Sequence, residues 1–309
     1  MNADWVAVSV RARSMSRRRL GAGACREVAA QPSLADAVAL LDGSAYAVPP
    51  SPAPPSLARA QRVTRDVVLW QLRVLAGWLP GRGDDLVRAA AAAFERDNVL
   101  ALAERLGGGG NGLPELELGS LATAWPRLRE ATSVEELLTA VHRSRWGDVG
   151  SGGAASLSDV LTVAWLRRLA AAAPEARPWA AGECALLVAR IVLVDQDEPS
   201  ERLRQLVRPF IGASWASATS LDELRLSLPV AVRPVLDGVA RVEELWRAEA
   251  ALRARVEADG FTLLRGPRPG HGVVLGAMAV LSIDAWRVRA ALAAAAVGVG
   301  SSEVLDAVA

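Results

Sequence analysis

Residues 273–300, VVLGAMAVLSIDAWRVRAALAAAAVGVG, constrain the chain more than any other stretch. Met278, Leu281, Ala285, Val288, Leu292, Ala295 and Val299 recur at alternating steps of three and four, which is one face of an α-helix. Ile283, Trp286, Ala290 and Val297 form a second apolar flank, and a helix apolar on two flanks is predicted to be mostly buried. Asp284 and Arg287, three residues apart, share the narrow polar stripe that remains. Gly298 and Gly300 end the helix, because glycine tolerates the left-handed cap. The alanine-rich run from Ala291 to Ala296 lets a neighbouring helix come close.

A buried helix needs partners, and two earlier stretches look like weaker copies of this one. Residues 86–107 carry an alanine run, then Glu95 and Asn98 three apart, then leucines and a glycine stop. Residues 178–194 carry Glu183 with Leu186 three later. The acids Glu95, Glu183 and Asp284 stand roughly a hundred residues apart, and self-similarity at a fixed period marks a repeat architecture.

The composition fits helices. The hydrophobic fraction is 51% with only 5% aromatic residues, so the core is built from Ala, Leu and Val. Thirty-five basic residues against 34 acidic leave a net charge of +1, which argues against a nucleic-acid binder. All the basic residues are arginine; without lysine, the glycine run at 107–110 is no phosphate loop, and Schiff-base chemistry is excluded. Cys25, Cys184, His142 and His271 have no metal-ligand spacing, so neither a metal nor a cofactor is expected, and a reducing compartment fits. The N-terminus lacks a signal-peptide core, and no run of about 18 apolar residues occurs, so the chain reads as soluble and cytoplasmic.

In chain order a unit recurs. Residues 8–20 read as a basic helix face with Val10, Met15 and Leu20 inward. Ser33, with Asp36 three later, is an N-cap, and Tyr46 follows thirteen residues after it. A proline-rich loop at 48–55 precedes a long helix at 56–79, with Val63, Val67, Trp70, Val74 and Trp78 inward. The first acid-bearing helix follows, and the flexible linker 107–112 marks a first domain boundary. The second round has a short helix at 120–129, the cap at Ser133, Trp146 thirteen residues on, and a helix at 158–173 before the Glu183 helix. The third has the cap at Ser220, but Pro229 and Pro234 interrupt it and no aromatic landmark follows. A long helix at 235–258 and a loop at 265–272 lead to the last helix; His271 in that loop is expected to be structural. The expectation is an all-α chain of three similar helical repeats, 1–112, 113–207 and 208–309, that pack together because each alone buries its apolar face poorly.

This order resembles the central-stalk C subunits of the V/A-type (vacuolar-type) ATPases, whose eukaryotic counterparts are the d subunits. The opening Val10-Arg11-Ala12-Arg13-Ser14-Met15-Ser16-Arg17 is similar to the family's start. The capped helices at Ser33, Ser133 and Ser220 are similar to its Ser-Leu-Glu-Glu-Ala-Leu helix, and Glu95 with Asn98 to its acid-x-x-Asn helix. At Glu183 and Asp284 the Asn position holds Leu186 and Arg287. The resemblance implies three helical domains around a pseudo-threefold funnel. It also implies a non-catalytic central-stalk role between the rotor-shaft subunits of the soluble head and the membrane proteolipid ring. That seat is peripheral to the inner face of the membrane, with no nucleic acid bound.

Two rival readings compete with it. One is a generic helical-repeat adaptor with another protein partner. The other is an all-helical enzyme in which Glu95, Glu183 and Asp284 converge. Against the second, each acid is expected to cap or pair within its own repeat.

Overall fold

The computed structural model describes residues 3–109, 114–150 and 154–298, and every element among them is a helix. The expectations for Gly110 to Gly112 and for Val299 and Gly300 fall outside the described residues. The chain forms two compact units.

The first unit comprises residues 1–84 and 253–309. It holds α1 (Ala3–Arg17), α2 (Gly21–Ala29), α3 (Leu34–Leu40), α4 (Leu57–Trp78), the later part of α12 (Leu245–Leu264), and α13 (His271–Val297). At its centre α13 packs against α1, α2, α3 and α4. The two-flank pattern is realised: Met278, Leu281, Ile283, Ala285, Val288, Leu292 and Ala295 are all buried, and the helix closes on Gly298 at φ +73°. Val297, placed on the apolar flank, is exposed. The crossing with α12 is backbone-close. A Cβ on Gly276 would stand 2.5 Å from the Gly260 carbonyl oxygen, so only glycine fits there.

The second unit, residues 85–252, holds α5 (Asp84–Leu106), α6 (Trp125–Leu128), α7 (Val134–His142), α8 (Ala154–Ala172), α9 (Arg177–Ala189), α10 (Glu201–Ile211), α11 (Leu221–Ser227) and the start of α12. Helix α9 continues into a π-helical turn, Arg190–Val194. Helices α8, α9 and α10 pack mutually.

These units cut across the sequence segments 1–112, 113–207 and 208–309, because the last helix of the chain is enclosed by the first four. Other expectations change in detail. In α1 the buried residues include Val8, Ala12 and Met15, while Val10 is exposed. In α4 the buried face is Ala60, Thr64, Val68, Leu72 and Leu75, and Trp70 and Trp78 are exposed, although they share an apolar stripe with Val63, Val67 and Val74. Helix α4 carries apolar residues on two faces, and the leucine-rich one faces the core. Helix α10 has no counterpart among the expected elements. Its Leu203, Leu206, Val207 and Phe210 are buried at helical spacing behind the Ser200 cap, and Pro209 sits late enough that the helix forms. The helix expected at 235–258 starts only at Leu245, because Gly238 adopts φ +78° and Arg241 is extended.

The three serine caps form as read. Ser33, Ser133 and Ser220 each accept a hydrogen bond from the amide three residues on, at 3.2, 3.1 and 3.3 Å. In the second and third rounds the box is extended. Glu136 and Glu223 each accept both from the backbone amide and from the hydroxyl of the threonine before the cap serine. Those bonds hold both glutamates below the ordinary carboxylate range. Ser133→Ala is therefore expected to destabilise the protein by about 1 kcal/mol in urea unfolding, with no change in partner binding by the folded protein. Unchanged stability with lost binding would make Ser133 a contact residue instead.

Candidate functional site

The polar residues shared by the repeats do not line an open cleft; they are buried. Glu95 in α5, Asn98 one turn on, and Asp284 and Arg287 in α13 are at most 3% exposed. A buried carboxylate must be satisfied by donors. Glu95 Oε1 accepts from the backbone amides of Thr123, Ala124 and Trp125 at 2.7, 2.7 and 2.9 Å. Its Oε2 accepts from the Thr123 hydroxyl at 2.5 Å and from the Trp146 indole Nε1 at 3.1 Å. The Arg168 guanidinium lies 4.0 Å away and stacks over the Trp146 ring at 5.0 Å. Glu95 thus caps the entry of α6, whose first amides have no partner within the helix, and binds the chain beyond α7 to the same point.

Asp284 repeats the arrangement in the other unit. Its carboxylate accepts from the backbone amides of Leu20 and Gly21 at 2.9 and 2.7 Å, at the entry of α2, and from the Tyr46 hydroxyl at 2.9 Å. Burial first, and the Asp284 charge second, push the Tyr46 hydroxyl far above its ordinary range. The same two causes push the neighbouring Cys25 thiol up to about 12, so it is an inert core residue.

The two clamps share a plan, backbone amides at a helix entry plus one aromatic donor, to which Glu95 adds a third amide and the Thr123 hydroxyl. Tyr46 and Trp146 each stand thirteen residues after a cap serine, and both give a side-chain donor to the acid. Between cap and aromatic lies another shared device. The Ser44 and Ser144 hydroxyls donate to the Leu41 and Val141 carbonyls at 2.6 and 2.7 Å, and accept from the Tyr46 and Trp146 amides at 3.0 and 3.1 Å. In the third round Ser227 makes the same bond to Leu224 at 2.6 Å. It comes one helical turn sooner after its cap, and Pro229 then occupies the aromatic's place. These turn serines are not among the residues that sequence reasoning singles out; their signal is a serine two residues before each aromatic.

Glu95 and Asp284 do not cap within their own segments, which corrects the expectation from sequence for these two. Glu95 serves the start of the second segment, and Asp284, near the end of the chain, serves the first. Asp284 and Arg287 are both buried, and they serve different partners. Arg287 forms a two-point ion pair with Glu257 of α12 at 2.5 and 2.6 Å. Burial opposes its charge, but those bonds outweigh it and hold the guanidinium above its ordinary range. Asn98 does different work at the matching position: its amide bonds the Leu116 backbone in both directions, at 2.8 and 2.7 Å. Glu183, in α9, is half-buried. The Trp215 indole nitrogen of the third round is buried with no partner among the described residues. His271 packs on the Trp5 ring at 5.1 Å, and His142 lies 3.7 Å from Asp148 on the surface. Among the described residues, no group of three or more His, Cys, Asp and Glu is placed to hold a metal ion, and no helix is long and apolar enough to cross a membrane.

Comparison with known proteins finds no matching protein-family model and no significant match among curated proteins.

The clamps are thermodynamic links, and their coupling is measurable. Asp284→Asn keeps the shape but turns an acceptor into a donor facing buried amides; it is expected to cost about 3 kcal/mol or more. Tyr46→Phe is expected to cost about 1 kcal/mol. In a double-mutant cycle by urea unfolding, the pair should couple by about 1 kcal/mol. Strict additivity would mean that the 2.9 Å contact carries no stability.

Proposed function

We propose that the chain is a non-catalytic coupling subunit of the central stalk of a V/A-type rotary ATPase. It would seat between the rotor shaft of the soluble head and the proteolipid ring at the inner face of the membrane. The observation that carries this reading is the order of cap serine, aromatic donor and buried acid, found in matching places in two rounds, because that order is what resembles the family.

The chemistry of the acids supports a mechanical role over a catalytic one. A general acid or base needs a lone pair or proton free for substrate. The carboxylates of Glu95 and Asp284 are occupied by backbone amides and aromatic donors. Each joins a long helix to the entry of a shorter one, so the joined helices respond to load as one body. That suits a part that transmits torque and makes no bonds.

A rotor subunit seated on such a body would be held by shape and apolar burial, with about 800 Å² covered per side, and arginines at the rim would steer its approach. Titration of the purified protein with the rotor-shaft subunit at several salt concentrations is expected to give binding that survives moderate salt, and the purified chain alone is expected to show no ATP turnover. Failure to bind at low salt, or a loss of roughly a thousandfold between about 50 and 200 mM salt, would remove this reading.

A further inference from the structure

The apolar stripe of α4 that faces away from the leucine-rich core is not bare surface. Val63, Val67, Trp70 and Val74 form one wall of a groove of about 980 Å³, closed by Met15 of α1 and by the turn after α3. Trp70 is 53% exposed beside it. From Val63 to Val74 the stripe runs about 16 Å along the helix, which matches three turns of a partner helix. Arg11, Arg18 and Arg73 also line the groove, against a single acid, Asp66, which is already paired with Arg62 at 3.0 Å.

An apolar stripe and an excess of positive charge specify an occupant. We propose that this groove docks an amphipathic helix of a partner protein, with acidic residues flanking its apolar stripe. The carboxylates meet the arginines, and the apolar stripe covers Trp70 and the valines. A membrane surface fits less well, because it is planar and does not fill a groove. The proposal is independent of the stalk reading, since all of its residues lie in the first unit and its probe is a peptide.

The probe is a fluorescein-labelled peptide helix of about five turns, with Leu at i, i+4, i+7 and i+11 and Glu on both flanks, followed by anisotropy with the full chain. Saturable binding is expected at a dissociation constant on the order of 10 μM. Trp70→Ala should weaken it at least about tenfold. Arg73→Glu and Arg18→Glu should each weaken it several-fold and regain affinity for a peptide with Lys in place of Glu. Circular dichroism confirms that each variant folds. No saturable binding up to about 1 mM, equal binding of the Lys peptide to the unaltered chain, or indifference to Trp70→Ala overturns the proposal. So does competition of the peptide by anionic phosphatidylserine vesicles at sub-micromolar accessible lipid, or a dimer in light scattering that Trp70→Glu dissolves.

Discussion

The structure depends on a buried carboxylate that accepts backbone amides from a distant segment. Such a group is costly unless several donors meet it at short range, and once met it fixes the segments that supply them. Glu95 gathers the entry of α6 and the ring of Trp146; Asp284 gathers the entry of α2 and the hydroxyl of Tyr46. The sequence distances are long, 264 residues from Leu20 to Asp284, so the clamp on α13 ties the beginning of the described chain to its last helix. The unit built around α13 is completed only when that helix is in place.

Small residues make these clamps possible. Ala91 and Ala92 precede Glu95 on a buried face, and Gly276 with Gly260 lets α13 approach α12 at backbone distance. A core of alanine, leucine and valine therefore trades large side chains for close helices, and the polar links supply the specificity that such uniform apolar faces lack. The Arg287 to Glu257 pair adds a lateral tie in the same unit.

Much of this is legible in the sequence. The last helix, the three serine caps and the helical class follow from periodicity and from side-chain oxygens placed before apolar runs. What the acids do is not legible. Spacing shows that Glu95 and Asp284 recur, but only the fold decides whose amides they receive: Glu95 takes those of the next round, and Asp284 takes those of the first. The core face of α4 is ambiguous for a physical reason. Valines and tryptophans at 63, 67, 70, 74 and 78 make as regular a stripe as the true core face, and periodicity cannot rank two apolar faces of one helix. Helix α10 is hidden by Pro209, and the start of α12 by a left-handed glycine at Gly238 that a Glu- and Arg-rich pattern does not reveal.

Native-state hydrogen exchange reads the clamps most directly. The amides of Leu20, Gly21, Thr123, Ala124 and Trp125 sit at helix entries, where amides ordinarily exchange early because no helical carbonyl faces them. Bonded to buried carboxylates, they should be protected to the level of the global core, with protection factors on the order of 10⁴ or more. Exchange of these amides at the rate of exposed loops, while the centre of α13 stays protected, would contradict the clamp as the link on which the fold depends.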